Sequence, residues 1–264
     1  MFDTHCHLTF DAYEPAKRPG GVEGVLADAK AAGVDGCITI STTSVSCLEA
    51  LALAEEFENV WCSSGVHPLH SDEGPHDWEA IVRVARHPKC VAWGELGLDN
   101  HYTEPAKALQ RAVLDEQLSV IIEHQGEIDK PIVVHCREAF DELIPILEDT
   151  GIPGERFVFH CFTGGPREME QVLAFGAWAS FTGVLTYRNA KEVREAAKML
   201  GMERVMVETD APFLTPEPNR GKWPNEPGHV VQVARTLAEV HGVSYAEMER
   251  VLDGNAGRFF GIGI

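Results

Sequence analysis

The sequence predicts a single (β/α)8 TIM barrel occupying residues 1–264. Three observations carry that reading. Eight short apolar runs alternate with longer amphipathic stretches along the chain. No low-complexity segment or long linker interrupts the series. The length of 264 residues lies near the ~250 typical of one such barrel. An open doubly wound sheet is the alternative, but that fold commonly carries a G-x-G-x-x-G after its first strand, and none stands there.

Strands are read where apolar residues run continuously, as expected when both sheet faces are buried. The runs are Phe2–Leu8, Gly36–Ser41, Val60–Gly65, Val91–Leu96, Pro131–Cys136, Phe157–Phe162, Ala177–Gly183 and Val205–Thr209. Helical periodicity predicts helices over 22–33, 44–58, 77–86, 105–128, 138–149, 166–175, 189–200 and 226–241. Two further short helices are expected over 244–251 and 253–260. Asp149-Thr150-Gly151 and Phe175-Gly176 read as helix stops, because glycine relieves the left-handed turn at a helix end.

Composition narrows the class. At 44% hydrophobic residues the chain can bury one sizeable core. No apolar run approaches the ~18 residues of a membrane span, so no membrane partner is expected. The opening Met1-Phe2-Asp3-Thr4-His5 carries no signal-peptide pattern. The seven cysteines are odd in number, form no C-x-x-C and fall mostly in strand-like runs. They read as buried thiols in a reducing, cytoplasmic setting, with no structural disulfide. Against 22 Lys and Arg stand 41 Asp and Glu, a net charge of −19. A field of that sign repels polyanions and argues against broad, non-specific duplex binding, while leaving room for a nuclease whose metals supply local positive charge.

The chemistry is concentrated at strand ends, where such barrels place their active sites. Strand one ends in His5-Cys6-His7, and residues two apart on a strand face the same side. Strand four runs into Gly94-Glu95-Leu96-Gly97-Leu98-Asp99, strand five ends in His135-Cys136-Arg137, and strand six ends in His160-Cys161-Phe162-Thr163-Gly164. Strand eight ends in Glu208-Thr209-Asp210-Ala211-Pro212. A lone strand histidine is more often a packed residue than a ligand. Four histidines and two or more carboxylates brought together are costly to bury unless a cation neutralises them. The donor mix suits Zn, Mn, Fe or Ni, with Mg where carboxylate and water dominate. Six ligands exceed one open catalytic site and suffice for two divalent ions (Mg, Mn or Zn) sharing a carboxylate.

These motifs, with Gly65-Val66-His67-Pro68, Arg220-Gly221-Lys222, Asn225-Glu226-Pro227 and Asn255-Ala256, resemble the TatD family of metal-dependent deoxyribonucleases over essentially the whole chain. The resemblance implies that His5, His7 and Asp210 hold one metal, His135 and His160 a second, and Glu95 bridges them. Glu208 or Asp210 is then the base that takes a proton from water; the alternative for Glu208 is an ion pair with a nearby arginine. His67, Arg137 and Arg220 become candidate substrate contacts, with Asp99 and Asn225 beside them. Tyr102, Phe162, Tyr187 and Trp223 are candidates to stack on bases, although loop aromatics more often cap a core. Asn100-His101-Tyr102 and Gly257-Arg258-Phe259-Phe260 depart from the usual family pattern.

The expected activity is metal-dependent hydrolysis of DNA phosphodiesters, directed to single strands or strand ends. The competing expectation is an amidohydrolase or lactonase on a small substrate. Binuclear members of that kind often carry a carboxylated lysine on strand four, where this chain has Glu95 and its nearest lysine, Lys89, precedes the strand. A non-catalytic metal-binding scaffold is a third reading, which the intact ligand set disfavours.

Overall fold

The computed structural model describes residues 1–263. Its strands are β1 (Phe2–Cys6), β2 (Gly36–Thr39), β3 (Val60–Ser64), β4 (Cys90–Asp99), β5 (Ile132–Arg137), β6 (Phe157–Phe159), β7 (Trp178–Phe181) and β8 (Val205–Val207). They form one eight-stranded sheet in the order β1 to β8. Helices alternate with them: α1 (Gly21–Ala31), α2 (Ser46–Glu56), α3 (Trp78–Ala85), α4 (Lys107–His124), α5 (Phe140–Asp149), α6 (Pro166–Phe175), α7 (Lys191–Leu200), α8 (Val230–His241) and α9 (Tyr245–Phe260). This is the (β/α)8 TIM-barrel fold that the alternation predicts.

The chain divides into two compact units. One comprises Met1–Thr39, Cys161–Met169 and Ala179 onward; the other comprises Ile40–His160 and Glu170–Trp178. In the first, β1 pairs with β2 through Phe2↔Gly36 and Asp3↔Cys37, and β7 pairs with β8 through Ala179↔Val205. A bridge between Cys6 and Ala211 joins the end of β1 to the segment after β8. Ile38, Phe181, Val205, Val233, Leu237 and Met248 fill its core. In the second unit β4 runs between β3 and β5, and Ile40, Leu96, Val134, Leu143, Leu147 and Phe157 are buried.

Two elements depart from expectation. Strand β4 runs from Cys90 to Asp99, past the expected stop at Leu96, and so carries Asp99 in register with Arg137. The end of the chain forms one helix, α9, where two short ones were expected. Ser244 caps it by accepting from the Glu247 N–H, and Asn255 donates to the Val205 and Met202 carbonyls at 2.8 and 2.9 Å. Leu252, Ala256, Phe259 and Phe260 continue one buried face across Gly254. That packing outweighs the ~1 kcal/mol a mid-helix glycine costs. Several strands also end one to three residues before the polar motif, leaving His7, His160, Glu208 and Asp210 just beyond regular pairing.

Strand β4 needs glycine where it passes β5. Gly97 has φ 148°, and a Cβ there would collide with the His135 carbonyl. Gly126 is exposed, and a Cβ on it meets nothing within 4 Å. Gly97→Ala is therefore expected to destabilise the protein by about 1–3 kcal/mol or more in urea unfolding, with Gly126→Ala staying within about 0.5 kcal/mol of wild type. Equal stability of the two variants would remove the steric account of this motif.

Candidate metal centre

The first cluster is built on the ends of β1 and β8. Asp210 N–H donates to the His5 carbonyl at 2.9 Å, and His7 N–H to the Ala211 carbonyl at 2.7 Å. These bonds fix the backbone that carries His5, His7 and Asp210. The two imidazole Nε2 atoms lie 3.3 Å apart, and the Asp210 Oδ1 is 3.6 Å from His5 Nε2 and 3.3 Å from His7 Nε2. Asp210 itself takes φ 54°, a conformation uncommon outside glycine and often found at functional sites.

Asp3 braces this cluster from below. It accepts from Thr209 N–H at 2.9 Å, Thr209 Oγ1 at 2.6 Å and His5 N–H at 3.3 Å. Burial pushes its carboxyl up to about 8, against the pull of those three donors. Glu208 is buried, its Oε1 accepting from the Cys161 N–H and its Oε2 from the Ser180 hydroxyl, both at 2.6 Å. Sequence reasoning missed Asp3 and Ser180. The carboxylate two residues before His5 was the available signal for Asp3; nothing local marks Ser180.

The second cluster gathers around Glu95 Oε1 in the other unit. His160 Nε2 lies 2.6 Å away, His135 Nδ1 2.8 Å and His67 Nε2 3.2 Å. Glu95 is buried, and burial alone would raise its pKa. The surrounding histidines win, through charge from His160 and His67 and hydrogen bonds from His135 and His160, and hold it well below the usual range. Asp99 Oδ2 sits 3.0 Å from His135 Nε2. Burial lowers the His135 pKa, but the bonds to Asp99 and Glu95 outweigh it and leave the value raised. Asp99 holds the ring so that Nδ1 faces Glu95 and His160, where a cation would take the place of the Nδ1 proton; a carboxylate on the far nitrogen is the usual device that orients a ligand histidine.

His67 differs from its neighbours. Its Nδ1 accepts the Leu69 N–H at 3.0 Å, and burial brings its pKa down to about 4. A neutral ring with an accepting Nδ1 carries its proton on Nε2. His67 thus points a donor into the cluster, which suits a substrate contact better than a ligand.

Among the other expected contacts, Arg137 lies over the Tyr102 ring at 5.1 Å and Arg220 over Tyr187 at 3.9 Å. Neither arginine forms an ion pair among the described residues. Asn225 is fully buried and serves the scaffold, donating to the Thr209 and Phe213 carbonyls at 3.1 and 2.6 Å. Phe162 is buried against Phe181 and is not available to a base.

Both clusters pass a test of fit for divalent ions. His5, His7 and Asp210 each offer a ligand atom within 4.8 Å of the others, and Glu95 Oε1, His135 Nδ1 and His160 Nε2 lie within 3.3 Å of one another. Imidazole nitrogens facing one another beside carboxylates match the donor preferences of Zn and Mn.

A (β/α)8 chain with such clusters belongs to the metal-dependent hydrolases. Residues 2–261 match the model of the TatD related DNase family, and the chain is a member of that family. It is 37% identical over 262 residues to "Uncharacterized metal-dependent hydrolase YcfH" of Escherichia coli strain K12, covering 99% of this chain and 96% of that protein. It is 32% identical over 269 residues to "3'-5' ssDNA/RNA exonuclease TatD" of Citrobacter rodentium, covering 99% and 98%. The crystal structure of YJJV, a TatD homolog from Escherichia coli K12, superposes with a TM-score of 0.87 at 27% identity, covering 100% of this chain and 98% of that one.

Asp99→Asn removes the charge that orients His135 while keeping the shape. Calorimetric titration of this variant with Mn or Zn is expected to show affinity at one site falling about 10- to 100-fold, with an unchanged circular dichroism spectrum. Wild-type affinity at every site would show that Asp99 does not act through His135.

Proposed function

We propose that this chain is a cytoplasmic, divalent-metal-dependent phosphodiesterase that degrades single-stranded DNA from strand ends, as one hydrolase domain over residues 1–264. The observation that supports it most is the presence of two imidazole–carboxylate clusters, each braced by a further carboxylate, Asp3 or Asp99. His5, His7 and Asp210 would hold one ion, and Glu95, His135 and His160 a second; the bridging role of Glu95 rests on the family resemblance. When bound, such ions lower the pKa of water and offset charge on the leaving oxygen of an in-line displacement.

The chain's own groups do the rest. Asp210, whose side chain is 14% exposed, accepts the proton given up by the attacking water. Glu208 is a positioning residue, because both of its oxygens already hold donors, Cys161 N–H and the Ser180 hydroxyl. His67 Nε2–H donates to a phosphate oxygen, and Arg137 and Arg220 grip flanking phosphates through their planar donors. A net charge of −19 gives a duplex no extended basic track, which favours a thin strand neutralised at a few phosphates near the cut. The relative named as a 3'-5' ssDNA/RNA exonuclease supports the same substrate class. The odd number of cysteines without a C-x-x-C supports the cytoplasmic part of the proposal.

Linear single strands, closed circular single strands and closed circular duplex, offered at matched phosphate concentration with Mn or Mg, test the reading. Turnover is expected to be fastest on the linear strand and lost on chelation. His5→Ala, His135→Ala and Asp210→Ala should each lower it more than about 100-fold while the protein stays folded, as expected of groups that serve chemistry at strand ends. Rapid nicking of the closed duplex would overturn the end-directed model. Turnover of lactones or amides in place of DNA would select the small-substrate alternative.

A further inference from the structure

An aromatic ledge leads away from the first cluster. The His7 ring stacks on Phe10 with centroids 4.9 Å apart and planes 30° apart. Phe10 meets Phe213 edge-on at 5.8 Å, and Phe213 meets Trp223 at 5.7 Å. The exposure rises along the series: His7 is buried, Phe213 is 41% exposed and Trp223 63%. An aromatic row that begins at a candidate metal ligand and ends in solvent is not a core cap.

The ledge is rigidly supported. Asn225 N–H donates to the Pro212 carbonyl at 2.9 Å, and its amide donates to the Phe213 carbonyl at 2.6 Å. The Thr215 hydroxyl donates to the Lys222 carbonyl at 2.8 Å, and Lys222 N–H to the Asn219 carbonyl at 3.0 Å. Rings held in place before binding lose little entropy when a ligand arrives.

Charge identifies the ligand. In a chain of net charge −19, Arg220 and Lys222 precede Trp223 in the same loop and have no acidic partner among the described residues. Lys222 Nζ donates only to a neutral amide oxygen, Asn219 Oδ1, at 2.9 Å. Exposed rings beside uncompensated cations are the combination that binds single-stranded nucleic acid, bases on the rings and phosphates on the cations. Of the other sequence candidates, Tyr102 and Tyr187 already lie against Arg137 and Arg220, and Phe162 is buried.

We infer that Trp223 and Phe213 form a stacking subsite for unpaired nucleobases of a strand whose phosphate is presented to the first cluster. This rests on the phosphodiesterase reading and adds to it a source of single-strand selectivity, since bases in a duplex are stacked on one another and cannot reach the ledge.

Trp223 is the most exposed tryptophan among the described residues, so the part of the emission that a ligand quenches in wild type and not in Trp223→Ala reports contact with it, while the affinity of every variant is read by calorimetry. The metal-loaded protein is titrated with an oligothymidylate carrying phosphorothioate linkages, to slow cleavage, and with an abasic strand of equal length and linkage. Wild type is expected to bind the base-bearing strand about tenfold or more tightly, with quenched emission. Trp223→Ala should bind both strands alike, and Trp223→Phe should restore most of the preference. An unchanged preference in Trp223→Ala, or equal binding of the two strands by wild type, would overturn the subsite. Binding is read without turnover, so the two ideas separate. A wild-type protein that cleaves neither DNA nor bis(p-nitrophenyl) phosphate refutes the phosphodiesterase alone. One that cleaves DNA without base preference refutes the ledge alone.

Discussion

A buried carboxylate must be neutralised, and the neighbourhood of Glu95 follows from that constraint. Three imidazole nitrogens stand within 3.2 Å of its Oε1. Such an arrangement costs several kcal/mol per ion to desolvate unless partners are held in place. The holding groups lie further out: Asp99 on His135, and the Leu69 amide on His67. The backbone is shaped to the same end, because β4 can pass β5 at Gly97 only without a side chain. The first cluster repeats the pattern with different parts, Asp3 pinning the backbone that carries His5 and receives Thr209.

The two clusters share a logic, but the environments of their carboxylates differ. Glu95 is enclosed by imidazoles, whereas Asp210 keeps some exposure and a left-handed backbone. The enclosed group suits permanent ligation, and the more open one suits exchange of protons with substrate water. Glu208 accepts from the Cys161 N–H and the Ser180 hydroxyl and so also braces the backbone after β6.

Much of this was legible in the sequence. Continuous apolar runs marked all eight strands because both faces of a parallel sheet are buried, and His5 and His7 converge as their two-residue spacing requires. The rest depended on contacts between distant segments. Asn255 anchors α9 to Val205 at the start of β8, fifty residues away, so the merger of two expected helices could not be read locally. The braces on the ligands were equally hidden, since Ser180 meets Glu208 only through the pairing of β7 with β8. Asn225 looked like a substrate contact because it sits in a polar motif, yet its amide is spent on backbone carbonyls. The ledge was half visible: Trp223 stood out as a loop aromatic, but its link through Phe213 and Phe10 to His7 needed coordinates.

The central claim is that each cluster holds a divalent ion of its own, and titration with Mn followed by electron paramagnetic resonance tests it most directly. The account predicts two bound ions in wild type, one in His7→Ala and one in His160→Ala, with a different site surviving in each variant. Two ions bound in both variants, or none in wild type at millimolar Mn, would contradict it.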